Sequence, residues 1–111
     1  MSNERLETLI KMYKENPNDP FICYGIFLEY QNFNTTEAEK FLKILLNDFP
    51  QYLPTYYKAA EFYTQTEKYD LAMKCYNDGI DLAKQQQNQH ALGELTQAKS
   101  FLEEDMEDLD D

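Results

Sequence analysis

The sequence predicts an all-α protein of about six helices, and three observations carry that reading. Apolar residues recur at i, i+3, i+4 and i+7 in successive windows, the signature of amphipathic helices. The breaks between windows fall at prolines or polar turns, and glycine is scarce, with 3 in 111 residues. Two stretches of the chain also match each other at an offset of 34, pairing Ala38 with Ala72, Leu42 with Tyr76 and Pro20 with Pro54. A fixed period of that length favours an array of helical hairpins over a single bundle.

The first helix is expected over about 3–15, where Leu6, Leu9, Ile10 and Tyr13 form one stripe. "NPNDP" ends it, because Pro17 and Pro20 cannot continue a helix and restrict the residues before them. The second, about 20–32, is apolar almost all round, which suits a central helix or one that presents a binding face. Asn32 and Asn34 mark a turn, and Thr36 with Glu39 has the form of a capping box opening a third helix over 36–48. Pro50 and Pro54 bracket the next break, and the fourth helix follows over 54–66. The fifth, over 69–86, contains Asn77-Asp78-Gly79. That tripeptide is a hairpin signal by itself, but both its flanks repeat at 3.6 residues, not 2, so Gly79 is expected inside a helix. "QQQNQ" ends that helix, and Ala91, Leu95, Ala98 and Leu102 give a sixth stripe.

Composition bounds the function. The formal net charge is −11 and Arg5 is the sole arginine, so a phosphate backbone would be repelled and nucleic acid is set aside. Residues 103–111 hold seven acidic and no basic side chains. The expected organisation is one domain over 1–104 and an acidic, disordered tail over 105–111. No run approaches the length of a membrane span, and the start of the chain lacks the apolar core of a signal peptide. Cys23 and Cys75 form no C-x-x-C unit and read as buried free thiols in a reducing compartment, so the expected location is cytoplasmic. No metal-spaced cluster, phosphate loop or nucleophile–base pair stands out; the expectation is a non-enzyme without cofactor or metal.

In the second repeat the pattern is Tyr56-x2-Ala59-Ala60-x2-Tyr63 followed by Ala72-x3-Tyr76. In the first it is Phe21-x2-Tyr24-Gly25-x2-Leu28 followed by Ala38-x3-Leu42, with one extra residue between the helices. These residues resemble the tetratricopeptide repeat, a helix-turn-helix unit, and the chain is similar to small stand-alone bacterial proteins of that family. The resemblance implies antiparallel hairpins stacked as a short right-handed α-solenoid: two full repeats with a half repeat at each end. It assigns the residues just named, with Gly79, to packing between helices.

The resemblance further implies a protein–protein interaction module that binds a peptide in a concave groove lined by the first helix of each repeat. The positions it assigns to that groove are Ile22, Ile26, Glu29 and Tyr30; Tyr57, Lys58, Glu61 and Gln65; and His90 with Glu94. Three glutamates against one lysine favour a neutral or basic segment over an acidic one. The alternative is a homo-oligomer, for instance a homodimer, in which the Ile22/Ile26/Tyr30 face buries against another copy and no peptide is bound.

Overall fold

A computed structural model of the chain describes residues 3–109. It contains six α-helices and, among the described residues, no strand. They are α1 (Glu4–Glu15), α2 (Pro20–Tyr30), α3 (Thr35–Asp48), α4 (Pro54–Gln65), α5 (Tyr69–Gln85) and α6 (Gln89–Leu109). The chain divides into two compact units, the first ending at Thr55 and the second beginning at Tyr56.

In the first unit, α2 packs against both α1 and α3. Short polar side chains start all three helices by accepting from amides that have no partner within the helix. Asn3 Oδ1 accepts from the Leu6 N–H at 3.0 Å, Asp19 Oδ1 from Phe21 at 2.9 Å, and Asn34 Oδ1 from Glu37 at 3.1 Å. The third cap corrects the sequence reading, which opened α3 with Thr36. Asparagine is at least as good a cap as threonine, and with Asn34 capping, both threonines fall inside the first turn. The core of this unit includes Cys23, Ile26, Phe27, Leu42 and Leu45, all without solvent contact.

In the second unit, α5 and α6 form a packed hairpin, and α4 meets α5 where the Tyr57 and Tyr76 rings stand edge to face at 6.4 Å. Helices α4 and α5 each end in a residue of left-handed conformation, Glu67 at φ 61° and Gln87 at φ 57°. After α5 the Asn88 N–H reaches back to the Ala83 carbonyl at 2.9 Å and that of Gln87 to Lys84 at 3.2 Å, a Schellman closure with glutamine where glycine is usual. The same chain reversal lets Asn88 Oδ1 accept from the Ala91 N–H at 3.0 Å and start α6.

Gly79 lies inside α5, and it is buried. A Cβ built on it would lie 2.7 Å from Tyr56 Cβ and 3.2 Å from Leu95 Cδ1. Glycine here lets three helices approach more closely than any side chain would permit. By contrast α6 continues past the point where the sequence predicts fraying and stays helical to Leu109. Leu102, Met106 and Leu109 stand at i, i+4 and i+7, so the apolar stripe continues through the acidic run. Asp110 and Asp111 lie outside the described residues.

Candidate peptide-binding surface

The ten positions expected to line a groove divide between the two units. Those on α2 lie in the first. Ile22 is 5% exposed and Ile26 is wholly buried, so both are core residues and offer nothing to a peptide or to a second copy of the chain. Glu29 is held by Arg5 of α1, whose Nε lies 2.9 Å from its Oε1. The Tyr30 ring stacks on Phe41 of α3, with centroids 6.0 Å apart, and touches Phe33 beyond the end of its own helix. A Cβ on Gly25 would meet the tip of Leu9 at 3.3 Å. Thus α1 and α3 close over α2 from its own unit. The physical reason is that α1 carries an apolar stripe of its own, and the all-round apolar α2 is the surface on which that stripe is buried.

Phe21 departs in the opposite sense: the repeat pattern assigns it to packing, and it is 67% exposed. Both errors have one source. Allowing an extra residue between the helices of the first repeat aligns Phe21 with the buried Tyr56, whereas the plain offset of 34 aligns Ile22 with Tyr56 and Ile26 with the buried Ala60. One residue is about 100° of helix rotation, so the shift exchanged the packing face for the outer one. Tyr24, Gly25 and Leu28 are half-buried. Ala38, Leu42, Tyr56, Ala59, Ala60, Tyr63, Ala72 and Tyr76 are buried.

The second unit keeps its candidate residues accessible. Along α4, the half-buried Tyr57 ring is held edge-on by Tyr76, Lys58 Nζ lies 3.4 Å from Glu61 Oε1, and Gln65 is exposed. Thr64, one position before Gln65, turns its hydroxyl back to the Ala60 carbonyl at 2.8 Å and is not free to donate outward. In the first turns of α6, His90 Nε2 lies 2.8 Å from Glu94 Oε1, with both side chains mostly exposed. Burial pushes the Tyr76 phenol up, and Tyr57 and then Glu61 beside it add to the rise. That phenol therefore stays neutral behind the surface. The chemistry on offer is an aromatic edge, hydrogen-bonding groups and two carboxylates against one lysine and a histidine.

Neither cysteine supplies a nucleophile near neutral pH. Burial, with Asp48 nearby, pushes the Cys23 thiol up to about 12, and burial, with Asp78 nearby, pushes Cys75 up to about 11. Among the described residues no group of three or more His, Cys, Asp or Glu side chains is placed to hold a metal ion, and no helix is long and apolar enough to cross a membrane.

No family model and no curated protein matches the sequence, but solved structures do. The solution NMR structure of a tetratricopeptide repeat domain protein from Salinibacter ruber is 31% identical, with a TM-score of 0.74 over 79% of this chain and 90% of that one. A crystal structure of a tetratricopeptide repeat domain protein from the same organism is also 31% identical, with a TM-score of 0.71 over 77% of this chain and 96% of that one.

Proposed function

Since the chain belongs to the tetratricopeptide repeat family, a family of protein–protein interaction modules, we propose that its second unit is a non-catalytic binder of a neutral or basic peptide segment. The ligand lies along α4, over Tyr57, Lys58, Glu61 and Gln65, and extends to His90 and Glu94 at the start of α6. Tyr56 and Leu95, next in sequence to Tyr57 and Glu94, both approach Gly79, which supports treating the two helices as one surface.

The observation that carries this reading is the Tyr57 ring, partly exposed yet oriented by Tyr76. A pre-oriented aromatic side chain with a polar rim is the usual composition of a binding hot spot. Glu61 and Glu94 set the preference in charge, since an acidic ligand would meet like charge at both ends. The first unit contributes no apolar face of α2, because that face is already buried. Two free buried thiols accord with a cytoplasmic setting.

Fluorescence anisotropy with labelled peptide pools sorted by charge tests the proposal. Neutral and basic pools should bind the wild type, and a Tyr57→Ala, Glu61→Lys double variant should lose them by about tenfold or more. Tighter binding of the acidic pool, or equal binding by the variant, overturns it.

A further inference from the structure

At the opposite end of α6 the second unit carries another surface. An open cleft of about 390 Å³ lies where the last turns of α6 run beside the start of α5. Tyr69 and Leu71 of α5 and Met106 and Leu109 of α6 line it. Leu71 is 43% and Leu109 63% exposed, so two branched apolar side chains from two helices face solvent at one opening. Glu67 and Asp70 stand on its rim, offset by Lys68 alone.

The electrostatics of α6 say what would cover this opening. Its end carries Glu103, Glu104, Asp105, Glu107 and Asp108, with no basic residue in the last turn. Glu103/Glu107 and Glu104/Asp108 are like-charge pairs at i, i+4, an arrangement that works against the helix. The same carboxylates sit at the negative end of the helix dipole, where cations are favoured instead. The helix therefore ends in a concentration of negative charge that nothing in its own last turns relieves, beside apolar side chains left in water. A second copy of a chain of net charge −11 would add to that repulsion, and so would a nucleic acid or an anionic membrane.

We propose that this cleft docks a basic amphipathic helix of a partner protein, with one or two apolar anchors seated on Leu71, Met106 and Leu109 and lysine or arginine side chains against the acidic end of α6. The apolar anchors lie away from the α6 end of the first surface, since His90 and Met106 are about 24 Å apart along the helix axis at 1.5 Å per residue, while Gln65 of α4 stands two residues before Glu67.

The test uses the full chain and a fluorescein-labelled leucine–lysine peptide that forms an amphipathic helix, with a leucine–glutamate peptide as control. The wild type should bind the lysine peptide, and affinity should fall as salt rises from about 0.01 M to 0.15 M and the Debye length shrinks from about 30 Å to 8 Å. Leu71→Gln, Leu109→Gln should weaken binding by about tenfold through the lost anchors. Glu107→Lys, Asp108→Lys, which leaves the anchors in place, should weaken it by a similar factor. Circular dichroism should show wild-type helix content for both, because all four side chains are exposed. Because a basic peptide also suits the α4 surface, the cleft substitutions are read in the Tyr57→Ala, Glu61→Lys background, which removes that surface and should still bind the lysine peptide through the cleft. Unchanged binding on adding either pair of cleft substitutions to that background, equal binding of the glutamate peptide, or no binding at all by the background overturns the proposal. So does light scattering that shows a wild-type dimer dissolved by Leu71→Gln, Leu109→Gln, which would assign the cleft to a second copy.

Discussion

Replacing Gly79 and Gly93 separately with alanine isolates the packing role of the first. Both glycines lie within helices, α5 and α6, where alanine is favoured by about 1 kcal/mol on propensity alone. At Gly93 a Cβ would meet nothing within 4 Å, so Gly93→Ala should stabilise the protein by about that amount. At Gly79 the new methyl would sit 2.7 Å from Tyr56 Cβ. That atom is fixed to the α4 backbone and cannot rotate away, unlike the tip of Leu95 at 3.2 Å. Relief requires α4 and α5 to move apart, and overpacking of this kind costs about 1–3 kcal/mol. With the propensity gain subtracted, Gly79→Ala should destabilise by up to about 2 kcal/mol, leaving the two variants about 1–3 kcal/mol apart. Urea unfolding followed by far-UV circular dichroism reads the difference directly. In a thermal melt each kcal/mol moves the midpoint of a domain this size by about 4 °C or more. If Gly79→Ala is as stable as Gly93→Ala, the close approach of α4, α5 and α6 at residue 79 is wrong.

Two further outcomes follow from the helix ends and the thiols. Gln87→Gly should raise stability by up to about 1 kcal/mol, because it removes the strain of a left-handed non-glycine residue and keeps the Schellman closure; the urea midpoint should rise while the slope stays fixed. Cys23 and Cys75 keep their protons in the folded state up to about 12 and 11, whereas the unfolded thiols lose theirs near 9. Their contribution is therefore complete below pH 9 and is lost as pH rises from there toward the folded values, on the order of 1 kcal/mol for each thiol by about pH 10. A Cys23→Ala, Cys75→Ala variant should show a flatter decline in its urea midpoint between about pH 8 and pH 10.

What the sequence determined alone is the helical order of the chain. Periodicity of 3.6 and the positions of proline, asparagine and polar turns are local quantities, so α1 to α5 begin and end within a few residues of where those signals fall, as does the start of α6. The offset of 34 likewise identifies the repeat, since residues that share a packing role recur at one spacing. Residue 79 could be read as helical for the same reason, even against a hairpin tripeptide. Met106 and Leu109 were also legible, because they extend the spacing of Leu102, but the density of acidic residues hid them.

Only tertiary structure decided which faces are buried. A helix such as α2, apolar on every side, has no moment to orient it, so Phe21, Ile22 and Ile26 could not be sorted by pattern. Their fate depends on α1, whose own stripe closes over α2 and whose Arg5 engages Glu29. That contact is made between residues far apart in the chain, and no local propensity encodes it. The charged end of α6 is a similar case. Its carboxylates disfavour a helix locally, yet α6 continues because Leu102 and Met106 find cover in their own unit.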